Sequence, residues 1–127
     1  MNHITEIIIL IFLAITFLQS GIDKISDWKG NVEWLKSHFS KTILKNRVPF
    51  SLKLILVLEM IAGFLAVLGT LSILINGNTE IALISGVISA ITLLFLLLGQ
   101  RIAKDYDGAR TIVIYFIPTI FLVYLLQ

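Results

Sequence analysis

Four long stretches of this chain carry almost no charge, and they constrain the fold more than any other feature. They run over about 4–22, 52–75, 81–99 and 111–126. A helix needs about 20 mostly apolar residues to cross roughly 30 Å of hydrocarbon. The middle two meet that length, and Ile81–Leu98 alone supplies eighteen uncharged residues in a row. The first reaches it only by including Gln19–Ile22, and the fourth is short enough to need a thinned bilayer or support from its neighbours. Composition agrees: 57% of residues are apolar and 14% charged, against about 25% charged in ordinary soluble domains. One small core cannot hide that much apolar surface from water. A water-soluble globule, a disordered tail and a nucleic-acid-binding domain are excluded. The absence of cysteine removes disulfide scaffolds, thiol nucleophiles, iron–sulfur clusters and thiolate zinc sites. The expected fold is all-α: a single domain over 1–127, an integral membrane four-helix bundle with an amphipathic interfacial helix in its first loop.

The basic residues partition sharply. Seven lie between Lys24 and Lys53, and the other three are Arg101, Lys104 and Arg110. With four spans, the first and third loops share one side of the membrane, and with Lys53 at the edge of span two they hold all ten cations. The positive-inside rule puts both loops in the cytoplasm of a bacterial inner membrane and both termini outside. The first span reads as a retained helix and not a cleaved signal, because its start lacks Lys and Arg and contains Glu6.

Within the first loop, Trp28, Val32, Leu35, Phe39 and Ile43 recur at helical spacing. This predicts an amphipathic helix over about 31–43, N-capped by Asn31. It lies at the interface with Trp28, Trp34, Leu35 and Phe39 in the headgroup zone, or else folds back over the bundle. The five-residue turn Asn76–Glu80 joins spans two and three as a hairpin. Ala62, Ala66 and Thr70 face it on one side and Ala82, Gly86 and Ala90 on the other, spaced for close backbone packing within the chain. Homo-oligomerisation through these faces is the alternative. Pro118 is expected to kink span four or free the carbonyl of Ile114.

Glu59 is the candidate site. It sits between Leu58 and Met60 inside span two, about 9 Å deeper than Lys53 at ~1.5 Å per residue. An ionised acid in hydrocarbon is costly, so it should face the bundle, paired or protonated. The same ends of the other spans offer Gln19, Lys24, Gln100, Arg101, Arg110 and Tyr115 as ligand-binding or structural partners. The site reads either as a proton-accepting or headgroup-binding site, or as a structural pair locking the helices. No residue is assigned to catalysis and none to a metal. His3 and His38 fall on opposite sides of the membrane, and His38 reads as a solvated interface residue. Asp105-Tyr106-Asp107-Gly108 reads as a turn before span four.

Several of these segments resemble the DoxX-like membrane proteins. They are Ser20-Gly21-Ile22-Asp23-Lys24-Ile25 closing span one, Asp27-Trp28-Lys29-Gly30-Asn31 and Trp34-Leu35-Lys36-Ser37-His38-Phe39 in the loop, Glu59 with Gly63 and Gly69 in span two, and Asp105–Arg110 leading into span four. The resemblance implies a four-helix membrane fold and association with quinone-linked oxidases or other membrane oxidoreductase complexes. With no cysteine and no paired histidines, the chain brings no redox centre of its own. The expected role is a non-catalytic accessory subunit with other membrane proteins as partners, a quinone or lipid as ligand, and no covalent or metal cofactor. The alternatives are an assembly factor or chaperone, and a binding protein for a small hydrophobic or lipid molecule.

The charge partition makes a direct prediction about orientation. A topology reporter fused after Gln127 should be active in its periplasmic form and silent in its cytoplasmic form. The reverse result would invert the orientation.

Overall fold

The computed structural model describes residues 2–44 and 46–127. The described residues form five helices: α1 Ile4–Ser26, α2 Trp28–His38, α3 Val48–Asn76, α4 Glu80–Ile102 and α5 Tyr106–Leu126. All but α2 are long and apolar enough to span a bilayer. They pack in the order α1, α3, α4, α5, alternating in direction, with the looser closure between α5 and α1. This is a four-helix membrane bundle.

Sequence explains each boundary. Pro49 sits in the first turn of α3, where its missing N–H costs nothing. Gly77 ends α3 with φ 73°, a left-handed conformation that suits glycine. Asp105 caps α5, its Oδ1 accepting from Gly108 N at 3.0 Å. That cap starts α5 earlier than the hydropathy profile suggested. The helix has 21 residues, about 31 Å at ~1.5 Å per residue, and Gly108 lies inside its first turn and does not end a segment. α5 also continues through Pro118. Next to the carbonyl that the proline ring leaves free, Thr119 Oγ1 donates to the carbonyl of Tyr115 at 2.8 Å.

The core is narrow. Leu10, Leu13 and Phe17 of α1, Ala62 and Ala66 of α3, Ala82 and Leu93 of α4 and Leu122 of α5 are fully buried. Large apolar side chains such as Ile8, Phe64, Leu74 and Ile117 point outward instead. That inversion suits lipid, where tight packing of small residues holds helices together better than bulk hydrophobicity. At Gly69 an added Cβ would lie 2.8 Å from the Cα of Ala82, so the α3 and α4 backbones nearly touch. Ser85 Oγ donates to the carbonyl of Ala62 across the same seam at 3.2 Å. Ala82 thus meets the small-residue face of α3 within one chain, whereas Gly86 turns to Leu122 and Val123 of α5.

α2 lies across the bundle end that carries the basic loops, beside α3 and α1. It begins at Trp28, three residues before the expected start. Its cap is Asp27, not Asn31: Asp27 Oδ1 accepts from Gly30 N at 3.2 Å. The Asn31 amide instead donates back to the Asp27 carbonyl at 2.7 Å. The helix stops at His38, and Ile43, outside it, is highly exposed.

The α3–α4 contact yields a stability prediction. Gly69→Leu forces a side chain into the Ala82 backbone and should destabilise the bundle by about 1–3 kcal/mol or more. Leu68→Ala, on the exposed face, should cost far less. Thermal unfolding in detergent reads both.

Candidate polar site at the α2 end

Glu59 lies one face around α3 from the exposed Leu54 and Ile61, and the packing of α1 against α3 covers it almost completely. It is 2% exposed. The α1 helix brings Lys24 to it: Nζ stands 2.7 Å from Glu59 Oε1, with the lysine side chain 17% exposed. The ammonium also donates to Ser20 Oγ at 2.6 Å, one turn back on α1. The carboxylate contact is an ion pair by distance, while the ammonium's best-aligned bond goes to the serine. Burial strengthens the attraction of such a pair, but taking both charges out of water offsets much of that gain. Two glycines allow the close approach. Gly21 packs against the Met60 side chain, and Gly63 packs against Leu18, whose backbone N would lie 3.3 Å from an added Cβ.

Of the remaining candidates, none joins this pair. Gln19 points to the outside of the bundle. Arg101 is exposed and lies over the Tyr106 ring at 5.0 Å. Arg110 pairs with Asp107 at 2.9 Å, both largely in solvent. Tyr115 packs edge-on against Phe12, with ring centroids 6.0 Å apart, and forms part of the α1–α5 seam. Gln100 is half-buried near Gly108 and belongs to a neighbouring feature.

That feature is a partly open cavity of about 460 Å³ bordered by α2, α3, α4 and the end of α1. Leu35 of α2 and Phe39 just beyond its end, Leu52 and Ile55 of α3, and Leu96 and Ile102 of α4 make most of its wall. The polar members are Lys24, Asn31, Ser51 and Gln100. Lys24 therefore serves two places at once, with its counter-charge behind it in the bundle and the cavity in front. Asn31 and Ser51 carried no functional signal in the sequence, because a loop amide and a hydroxyl in the first turn of a helix are ordinary there.

The interfacial quartet divides. Leu35 and Phe39 face the cavity, Trp28 is half-buried and Trp34, at the cavity's edge, is 61% exposed. His38 is not solvated as expected. Its ring stacks on Trp34 at 4.7 Å and stands edge-on to Phe39 at 5.2 Å. Its Nε2 is buried 3.7 Å from Asp105 Oδ2, too long for a hydrogen bond. This contact ties the end of α2 to the cap of α5.

No family model, curated protein or solved structure matches this chain.

The pair predicts asymmetric mutant effects. Lys24→Met strands a buried carboxylate and should lower stability by about 3–5 kcal/mol. Glu59→Gln should cost less, because Lys24 keeps Ser20 and partial access to solvent. The double variant Lys24→Met/Glu59→Gln should recover much of the loss, since removing both charges removes the desolvation penalty. Denaturation of the purified variants in one detergent measures all three. Equal losses for all would mean the two side chains do not act as a pair.

Proposed function

We propose that this chain is a non-catalytic membrane protein that holds a small amphipathic molecule in the cavity beneath α2. The observation that carries this reading is the cavity itself: a mostly apolar space of about 460 Å³ with, among the described residues, one ammonium and three neutral polar groups in its wall. Small-molecule sites are commonly of about 300–1,000 Å³, mostly apolar, with a few placed polar groups. The chamber belongs to the α2 end, where ten cations in the sequence face six acids, counting Asp23, Asp27, Glu33, Glu59, Asp105 and Asp107. Glu6 and Glu80 lie toward the other end. A bacterial inner-membrane protein with that end in the cytoplasm would set the cavity at the inner headgroup layer, within reach of lipids and quinones.

A second reading is an accessory subunit of a quinone-linked or other membrane oxidoreductase complex. It is favoured by the place where two DoxX-like segments meet. Lys24, from the segment closing α1, and Glu59, from α3, form one ion pair. On this reading the pair and the cavity receive a quinone delivered to a partner, and the redox centre belongs to that partner.

Purification in a mild detergent followed by mass spectrometry of both proteins and extractable small molecules tests the two together. A stoichiometric lipid or quinone lost on filling the cavity, by Leu35→Trp, supports the binding role. A stable oxidoreductase partner supports the accessory role. Recovery of the chain with neither, from membranes that contain candidate partners, overturns both.

A further inference from the structure

The cavity wall is specific about charge. Among the described residues, Lys24 is the one charged side chain in the wall, and no arginine lines it. Phosphate recognition favours the fork of arginine or several cations, and Arg101 and Arg110 lie outside the wall, against Tyr106 and Asp107. A single compact ammonium with neutral donors beside it suits a carboxylate. Among the described residues, the side chains of Ser51 and Gln100 have no hydrogen-bond partner in the protein, whereas the Asn31 amide is taken by the Asp27 carbonyl. Ser51 and Gln100 are therefore unused polar groups in an otherwise apolar wall. The chamber also reaches the outer surface of the bundle. Leu54 of α3 and Phe95 and Leu98 of α4 line it, and each is more than 40% exposed. An apolar tail has a path from the chamber into lipid between these two helices.

We propose that the cavity takes the carboxylate head and first methylenes of a single-chain acyl amphiphile, with the Lys24 ammonium, Ser51 and Gln100 as its polar partners. This rests on the reading of the cavity as a binding site and names its ligand class. Without ligand, the Lys24 ammonium stands 2.7 Å from Glu59 Oε1 and donates to Ser20 Oγ at 2.6 Å. An ammonium carries three donors, so one is left for a carboxylate in the cavity.

The test uses the full chain in nanodiscs of uncharged lipid. Trp34, at the cavity edge, reports binding through quenching by brominated dodecanoate in a Trp28→Phe background. Unlabelled dodecanoate and dodecanol compete at a mildly alkaline pH. The acid should compete about tenfold or more better than the alcohol, the value of a charged hydrogen bond. In Lys24→Met/Glu59→Gln, which keeps the bundle without the buried charges, the two should compete equally. Equal competition by acid and alcohol in the wild type overturns the carboxylate assignment while leaving the cavity a binding site. Saturable quenching displaced by neither probe overturns the carboxylate assignment, and absence of saturable quenching overturns the cavity reading as well.

Discussion

Between helices in lipid, the hydrophobic effect no longer distinguishes the inside of a bundle from the outside. Cohesion then comes from how closely backbones approach and from the few polar contacts that cannot be left unmade. Every part of this structure follows from that constraint. Gly69 against Ala82, Gly63 against Leu18 and the Ser85 hydroxyl on the Ala62 carbonyl bring α3 into contact with both neighbours. The bulky Ile, Leu and Phe side chains are left on the outer surface, where lipid tails receive them. α3 is the spine, packed broadly on α1 and on α4, and its glycines and alanines are what make that possible.

The Lys24–Glu59 pair is the polar counterpart of this packing. It joins α1 to α3 where their small residues have already brought them close. Such a pair is a poor source of net stability, because each charge has given up water. Its effect is on selection: an α1 shifted by one residue against α3 would leave a carboxylate buried without a cation. It also fixes the polarity of the neighbouring cavity. A cation whose counter-ion lies behind it presents a directional face, unlike a free lysine on a surface.

Much of this architecture is legible in the sequence. Four charge-poor runs imply four helices, and an acid between Leu58 and Met60 marks the polar site, because hydrocarbon penalises charge strongly. Hydropathy was less informative at helix ends. α5 begins at Tyr106 because the Asp105 side chain caps it, and a cap lies outside any apolar count. Partner choice was harder still. Lys24, Arg101 and Arg110 are equivalent by composition. Only rotation about the helix axes sends Lys24 inward and leaves Arg101 over Tyr106 and Arg110 beside Asp107. Gln19 and Tyr115 turn away for the same reason. His38 looked solvated because its neighbour in space, Asp105, lies 67 positions further along the chain, and no local pattern announces that meeting.

The cavity has one wall of a different mechanical kind. α3 and α4 are long helices packed along their length, whereas no residue of α2 is fully buried. Stability is uneven in such a molecule, and an element with so little burial opens at a lower free energy than the bundle beside it. Any occupant of the cavity touches α2 and the bundle together, so it stabilises the closed state by an amount that grows with its concentration. Hydrogen exchange along Trp28–His38 is then a gauge of occupancy: the amides of this short helix slow when the chamber fills, while those of the four long helices keep their own rates.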